Sequence, residues 1–184
     1  MELDKAIKQR HCVRKFSKKK PDWRMVVEAI NSAHLAPLAG NVETLKFLIT
    51  GEQDTIDKVA KAAGQDFISQ AKFVVVVCSK EERAVTGYGE RARVYARQQA
   101  GAAIENFLLK IEELGLAACW VGAFHEPDIK RIFRIPDDIV VEAILPIGFA
   151  DEKSKQKPKP ELSSMVYWDR WMNKYMYREK KQEV

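Results

Sequence analysis

Apolar residues recur along this chain in two rhythms. Steps of three and four residues join Trp23, Val26, Val27, Ile30 and Ala33, and later Ala100, Ala103, Ile104, Phe107, Leu108, Ile111 and Leu114. Such spacing gathers apolar side chains on one face and predicts two amphipathic helices. Asp22, after Pro21, opens the first by accepting from free amides of its first turn, and the helix must stop near Pro37. The second runs from about Arg91 to Leu114, where Gly115 closes it. Shorter helices are expected over Leu3–Gln9, Gln53–Ala63 with Gly64 as its stop, and Pro127–Phe133. The other rhythm is the unbroken, β-branched run Phe73-Val74-Val75-Val76-Val77-Cys78, the pattern of a strand covered on both faces and central in its sheet. Leu45–Thr50, Cys119–Ala123 and Val140–Ile147 read as further strands.

Helices and strands alternate over uneven loops, with no repeat of fixed period and no linker. The expectation is one domain over residues 1–184. Its fold class is α+β: a three-layer α/β/α arrangement around a central sheet, mostly antiparallel or mixed. Ala96, Gly101 and Ala102 leave other faces of the long helix free of bulk, so a second backbone could approach there. The stretch from about 162 to 184 holds Tyr167, Trp168, Trp171, Tyr175 and Tyr177, which predicts an arm that packs, on a partner chain.

Composition narrows the class. A chain of 184 residues, 46% hydrophobic and 31% charged, can bury a large core without disulfides or a structural metal. Cys12, Cys78 and Cys119 are odd in number and lack a C-x-x-C pair, which points to a reducing, cytoplasmic setting. The charged N-terminus has no apolar signal core, and the run at 73–78 is too short to span a bilayer. Residues 1–24 carry nine Lys or Arg against three acids, and Lys153, Lys155, Lys157 and Lys159 form a second basic cluster. Basic clusters at 8–20 and 153–159 suit a phosphorylated small molecule or, as the alternative reading, a nucleic acid or other anion.

Most motifs fall short of a site. His125-Glu126 opens like a zinc-protease helix, but Ile129 stands at the second histidine position and Pro127 interrupts the turn, so no metal is expected. Gly87-Tyr88-Gly89-Glu90-Arg91-Ala92 matches a dinucleotide pattern only formally, because residues 79–86 separate it from the preceding strand. His11 and Cys12 are neighbours on an extended segment and point apart, which is wrong for a nucleophile and its base. His34 reads as a helix-boundary residue. The segment Arg10-His11-Cys12-Val13-Arg14-Lys15-Phe16 is different: Val13 and Phe16 anchor it, while Arg10 and Arg14 present forked donors to phosphate or carbonyl oxygens.

Five blocks now carry a resemblance: RHCVRKF at 10–16, APLAGN at 36–41, AAGQDFISQAKFVVVV at 62–77, AGAAIENFLLKIEELGLAACWVGAF at 100–124, and ILPIGFADEKSKQKPKP at 144–160. In this order and spacing the chain resembles the FMN-dependent nitroreductase family. The resemblance implies an intertwined homodimer with two FMN sites, each built from both chains, and NAD(P)H as co-substrate. Arg10, His11 and Cys12 match the positions that hold the FMN phosphate and ribityl chain. Arg14 matches a cation at the N1 and C2-carbonyl edge of the ring, where it supports the reduced flavin. Pro37, Leu38, Ala39, Asn41 and Glu43 match a loop lent by the other subunit. Gln65 would bond the pyrimidine part, Gly122 and Ala123 would let backbone approach the ring, and Lys159, with Lys157 as substitute, would meet the phosphate. Hydride would pass through flavin N5 to a small acceptor such as a nitroaromatic or quinone, and no protein side chain is expected to act as catalyst. Cys12 and Leu38 stand where serine is frequent, Glu43 for glutamine, Thr44-Leu45 for Pro-Trp and Lys159 for arginine, which predicts modest FMN affinity.

Overall fold

A computed structural model describes residues 2–151 and 158–175. Helices α1 (Leu3–Gln9) and α2 (Trp23–His34) precede strand β1 (Leu45–Thr50), helix α3 (Gln53–Ala63) and strand β2 (Phe73–Ser79). Helices α4 (Glu82–Tyr88) and α5 (Arg91–Glu113) follow, then β3 (Ala117–Ala118), α6 (Glu126–Phe133) and β4 (Val140–Gly148). The four strands form one sheet in the order β1-β2-β4-β3, and every ladder in it is antiparallel.

The apolar run became the buried middle of this sheet. Phe73, Val75 and Val77 of β2 share a core with α2 and α5, whereas Val74, Val76 and Cys78 share one with α3 and α6. The α/β/α layering follows from that alternation. In β4 the alternation breaks once: Val77 pairs with Ala143 but Cys78 pairs with Val141, so Glu142 is an extra, bulged residue. Val141 consequently faces the α3/α6 core and Ala143 the α2/α5 core. The Glu142 carboxylate accepts from the Ser79 hydroxyl at 2.5 Å.

Two helix-end signals act as read: Asp22 accepts from the Arg24 amide at 2.9 Å, and Gly64 ends α3 at φ 61°. Two expectations need correction, and one element was not expected. The strand expected over Cys119–Ala123 is only Ala117–Ala118, continued by a single bridge between Val121 and Ile144. Cys119 donates to Pro146 at 3.3 Å, and Pro146 has no N–H with which to reply, so the ladder lapses there. Helix α4 has no apolar rhythm and was not legible; it rests on buried Ala84 and on Glu81, which Arg93 grips at 2.8 Å. Gly87 lies inside α4 and Gly89 ends it, so the formal dinucleotide pattern makes no phosphate turn. Finally, Ala96 is already buried within its own chain, whereas a side chain at Gly101 would meet open space.

Candidate active site

After α1 the chain runs along the outer side of β3. Val13 N–H donates to the Ala118 carbonyl at 3.0 Å, Phe16 bridges Ala150, and Ser17 N–H donates to Phe149 at 2.8 Å. Val13 and Phe16 are buried, and the ring of Phe16 covers Gly148, where a Cβ would come within 3.0 Å of it. The anchors expected from sequence thus fix the backbone of a basic strip. From it Arg10 reaches Glu105 on α5 at 3.2 Å, Arg14 lies 5.8 Å above the Phe67 ring, and the His11 ring pairs with the Gln9 carbonyl at 2.7 Å.

Cys12 turns inward to Cys119. The Cys119 thiol, the Trp120 amide and the two nearby arginines stabilise its thiolate and, against partial burial, bring Cys12 down to about 5. Cys119, whose thiol donates to the Trp120 carbonyl at 3.8 Å, is raised by the adjoining Cys12 and by burial. Gln65 donates its side-chain amide to the Ala123 carbonyl at 3.2 Å, and Phe67 two residues on meets Arg14. The strip, Gln65 and the 119–123 segment therefore make one surface, with Gly122 and Ala123 exposed on it.

The loop 37–43 stands elsewhere. Gly40 and Asn41 both take φ 57°, and Tyr88 fills the space that a Gly40 side chain would need. Glu43 accepts from the Leu45 amide at 2.6 Å and lies 3.7 Å from His34, so the boundary histidine ties helix to loop. This loop precedes Leu45 of the edge strand β1, which pairs with Ser79; the strip runs along β3 at the other edge, where Val13 meets Ala118 and Ala118 stands level with Ile147 and Phe73. The seven residues of β2 separate the two by roughly 20 Å.

The nitroreductase family model matches residues 7–69 and 60–149, from the basic strip to the end of β4. The chain belongs to the nitroreductase family. A protein of Archaeoglobus fulgidus named for NADH dehydrogenase and NAD(P)H nitroreductase activity is 26% identical over 182 residues, covering 96% of this chain and 97% of its own. The iodotyrosine deiodinase of Thermotoga neapolitana is 24% identical over 171 residues, covering 84% and 92%. Among solved structures, the NADPH:FMN oxidoreductase of Vibrio harveyi complexed with NAD+ superposes at a TM-score of 0.80 with 17% identity, covering 99% of this chain and 79% of that one. Family and fold make the protein an oxidoreductase with the nitroreductase architecture.

Within this nitroreductase chain, Arg10, Cys12, Arg14, Gln65, Gly122 and Ala123 share one end of the molecule, while Pro37, Leu38, Ala39, Asn41 and Glu43 do not join them. His11 follows the strip backbone. Lys159 is exposed, and Lys157 lies outside the described residues. Glu43, expected near the cofactor of the other subunit, caps β1 and faces His34 within its own chain. The expected arm is described only to Tyr175: Tyr167 stacks on Trp171 at 4.8 Å, and Trp171 and Tyr175 stand exposed. Sequence reasoning missed Cys119, Trp120 and Phe67 as members of the site. Only the pairing of Val13 with Ala118 brings the first two there.

Proposed function

We propose that the protein is an FMN-dependent oxidoreductase that passes hydride from NAD(P)H to a small oxidised acceptor, a nitroaromatic or quinone, at two sites shared across a homodimer. The observation that carries this reading is the separation of the two matched segments at opposite ends of β2. One chain cannot close a site around both, but two chains related by a twofold axis can do so twice. Exposed apolar side chains suit such an assembly: Leu3 on α1 and Leu35 after α2 line a groove with Leu109 of α5, and Ile7 stands exposed on α1.

The residues fit FMN. Arg10 and Arg14 bring two guanidinium forks to a backbone-fixed strip, and Gln65 holds an amide oriented by Ala123. Arg10 and Lys159 would neutralise the phosphate, Gln65 would orient the ring, and Gly122 would leave room for it against the backbone. Arg14 would favour negative charge added to the ring edge beside it. Bound FMN would supply the two-electron chemistry for which these side chains offer no substitute. The Thermotoga relative is named for deiodination, so an iodinated phenol is a second acceptor to assay. A nucleic-acid surface is less well supported: Lys15 faces Asp151, and Lys19 and Lys20 lie over Phe149 and Phe73.

The visible spectrum tests the proposal. Purified protein, or protein incubated with FMN and desalted, should be yellow and should bleach with NADH or NADPH in the absence of oxygen. A protein still colourless after FMN incubation overturns it.

A further inference from the structure

We propose that Cys12 and Cys119 form an oxidant-sensitive dithiol, in which a hydroperoxide oxidises Cys12 and Cys119 then closes a disulfide with it. The backbone sets the pair. Val13 donates to Ala118 across antiparallel segments, which puts Cys12 opposite Cys119, and the amide of Cys119 is turned the other way, toward Pro146. A pair of this kind, not hydrogen-bonded to each other through the backbone, is the closest that antiparallel chains make, within the Cα separation that a disulfide spans. Both side chains pack into the core beneath α3 and α6 and both are free thiols; the Cys119 thiol, which donates to the Trp120 carbonyl at 3.8 Å, adjoins Cys12 closely enough to lower it.

The division of labour follows from burial and charge. Cys12 is partly exposed, receives the Trp120 amide and sits near Arg10 and Arg14, so it is the thiolate and the nucleophile. Cys119 is buried and holds its proton against that thiolate. In the first step the Cys12 thiolate attacks hydrogen peroxide: the O–O bond breaks, an S–O bond forms, the sulfur gives up two electrons and hydroxide leaves. The resulting sulfenic acid is neutral, which removes the charge that held the proton on Cys119. Cys119 then attacks the Cys12 sulfur, the S–S bond forms, the S–O bond breaks, and water departs with the thiol proton. Cys78 serves as the internal contrast, since burial and Glu142 raise it to about 12.

The oxidation does not depend on the cofactor reading, but its sensitivity to FMN does, because the phosphate is placed on the same strip. Full-length protein, reduced and then treated with equimolar hydrogen peroxide, should lose two hydrogens per chain. Peptide mapping should assign the cross-link to Cys12 and Cys119, dithiothreitol should reverse it, and Cys78 should remain open to alkylation after unfolding. Cys119→Ser should stop at a sulfenic acid on Cys12 that dimedone traps, and Cys12→Ser should give neither product. Recovery of both cysteines as free thiols, or a cross-link through Cys78 or between chains, overturns the proposal. Run on FMN-depleted and FMN-saturated samples, the reaction should be at least severalfold slower with FMN. Equal rates would remove the phosphate from this strip and leave the dithiol standing, whereas failure to cross-link in the depleted sample removes the dithiol and leaves the cofactor reading intact.

Discussion

At the Phe73 end of the sheet, backbone hydrogen bonds fix a strip whose projecting groups are Arg10, Arg14 and a thiol brought down to about 5. Beyond Ser79, at the other end, side chains hold the loop 37–43: Glu43 caps Leu45, Tyr88 fills the space over Gly40, and two successive residues take positive φ. Two carboxylates mark that end, Glu81 buried and held by Arg93 and Arg97, and Glu142 on Ser79. Two cysteines report the contrast, because Cys12 at the cationic end is lowered while burial and the Glu142 and Glu126 charges push Cys78 up to about 12. The fold thus fixes the basic strip along one sheet edge and carries the loop 37–43 before the strand at the opposite edge. Rigidity belongs where charge must be aimed, and a side-chain-held loop suits a surface that has to fit another molecule.

The sharpest way to break this comparison is to remove an anchor from each end. Phe16→Ala takes a buried ring from the strip and should cost about 3–5 kcal/mol, whereas Leu38→Ala in the loop should cost under ~1 kcal/mol. Urea unfolding of the two variants measures both, and equal losses would mean that the strip is no more rigid than the loop. Complementation comes next. Arg14→Glu and Asn41→Ala damage opposite half-sites, so each alone should lose flavin occupancy. Co-expressed in equal amounts, they form about half heterodimers, each with one intact site, and occupancy should return to about a quarter of the wild-type value. No recovery would mean that the loop and the strip do not meet across two chains.

The sequence made the layers legible because their signals are local. The β-branched run named β2, Asp22 and Gly64 named helix ends, and Val13 and Phe16 named the anchors of the strip. What stayed hidden depends on register and on tertiary support. That Cys12 faces Cys119 follows from the pairing of residue 13 with residue 118, which no property of either segment announces. Helix α4 exists because Arg93 reaches back to Glu81, and the bulge at Glu142 because Ser79 receives its carboxylate. The loop 37–43 was matched by family resemblance alone, and within one chain it stands apart from the strip, so no local signal could say whether the two meet.

A smaller effect sharpens the electrostatic half of the contrast. Arg14→Ala removes a cation from beside the place proposed for the flavin ring and should lower the potential of bound FMN by about 5–20 mV, the size of a partly screened charge interaction. Lys159→Ala should weaken FMN binding and leave the potential where it was. Redox titration and a binding isotherm separate the two. An unchanged potential in Arg14→Ala would move that arginine away from the ring.

The smallest effect is the pH dependence of stability, because Cys12 is partly exposed and water screens its interactions. Its folded value, about 5, lies below the ordinary 9.0. Between those values the unfolded chain binds the proton that the folded chain has released, so its contribution to stability rises with pH across that window and is lost as pH falls through about 5. Cys78 and Cys119 act with the opposite sign. Both are raised above 9.0, so their contribution is present below that value and declines as the unfolded chain ionises first. The three thiols together should give a maximum near pH 9, approached from the acid side through the strip end and left on the alkaline side largely through the other. Chemical unfolding at a series of pH values, with wild type set against Cys12→Ser, isolates the first part: the variant should lose the rise between about 5 and 9 and keep the alkaline decline that Cys78 imposes. A variant whose profile matched the wild type in that window would show that Cys119, the Trp120 amide and the nearby arginines do not hold Cys12 as a thiolate, and the contrast between the two ends would then be one of rigidity alone.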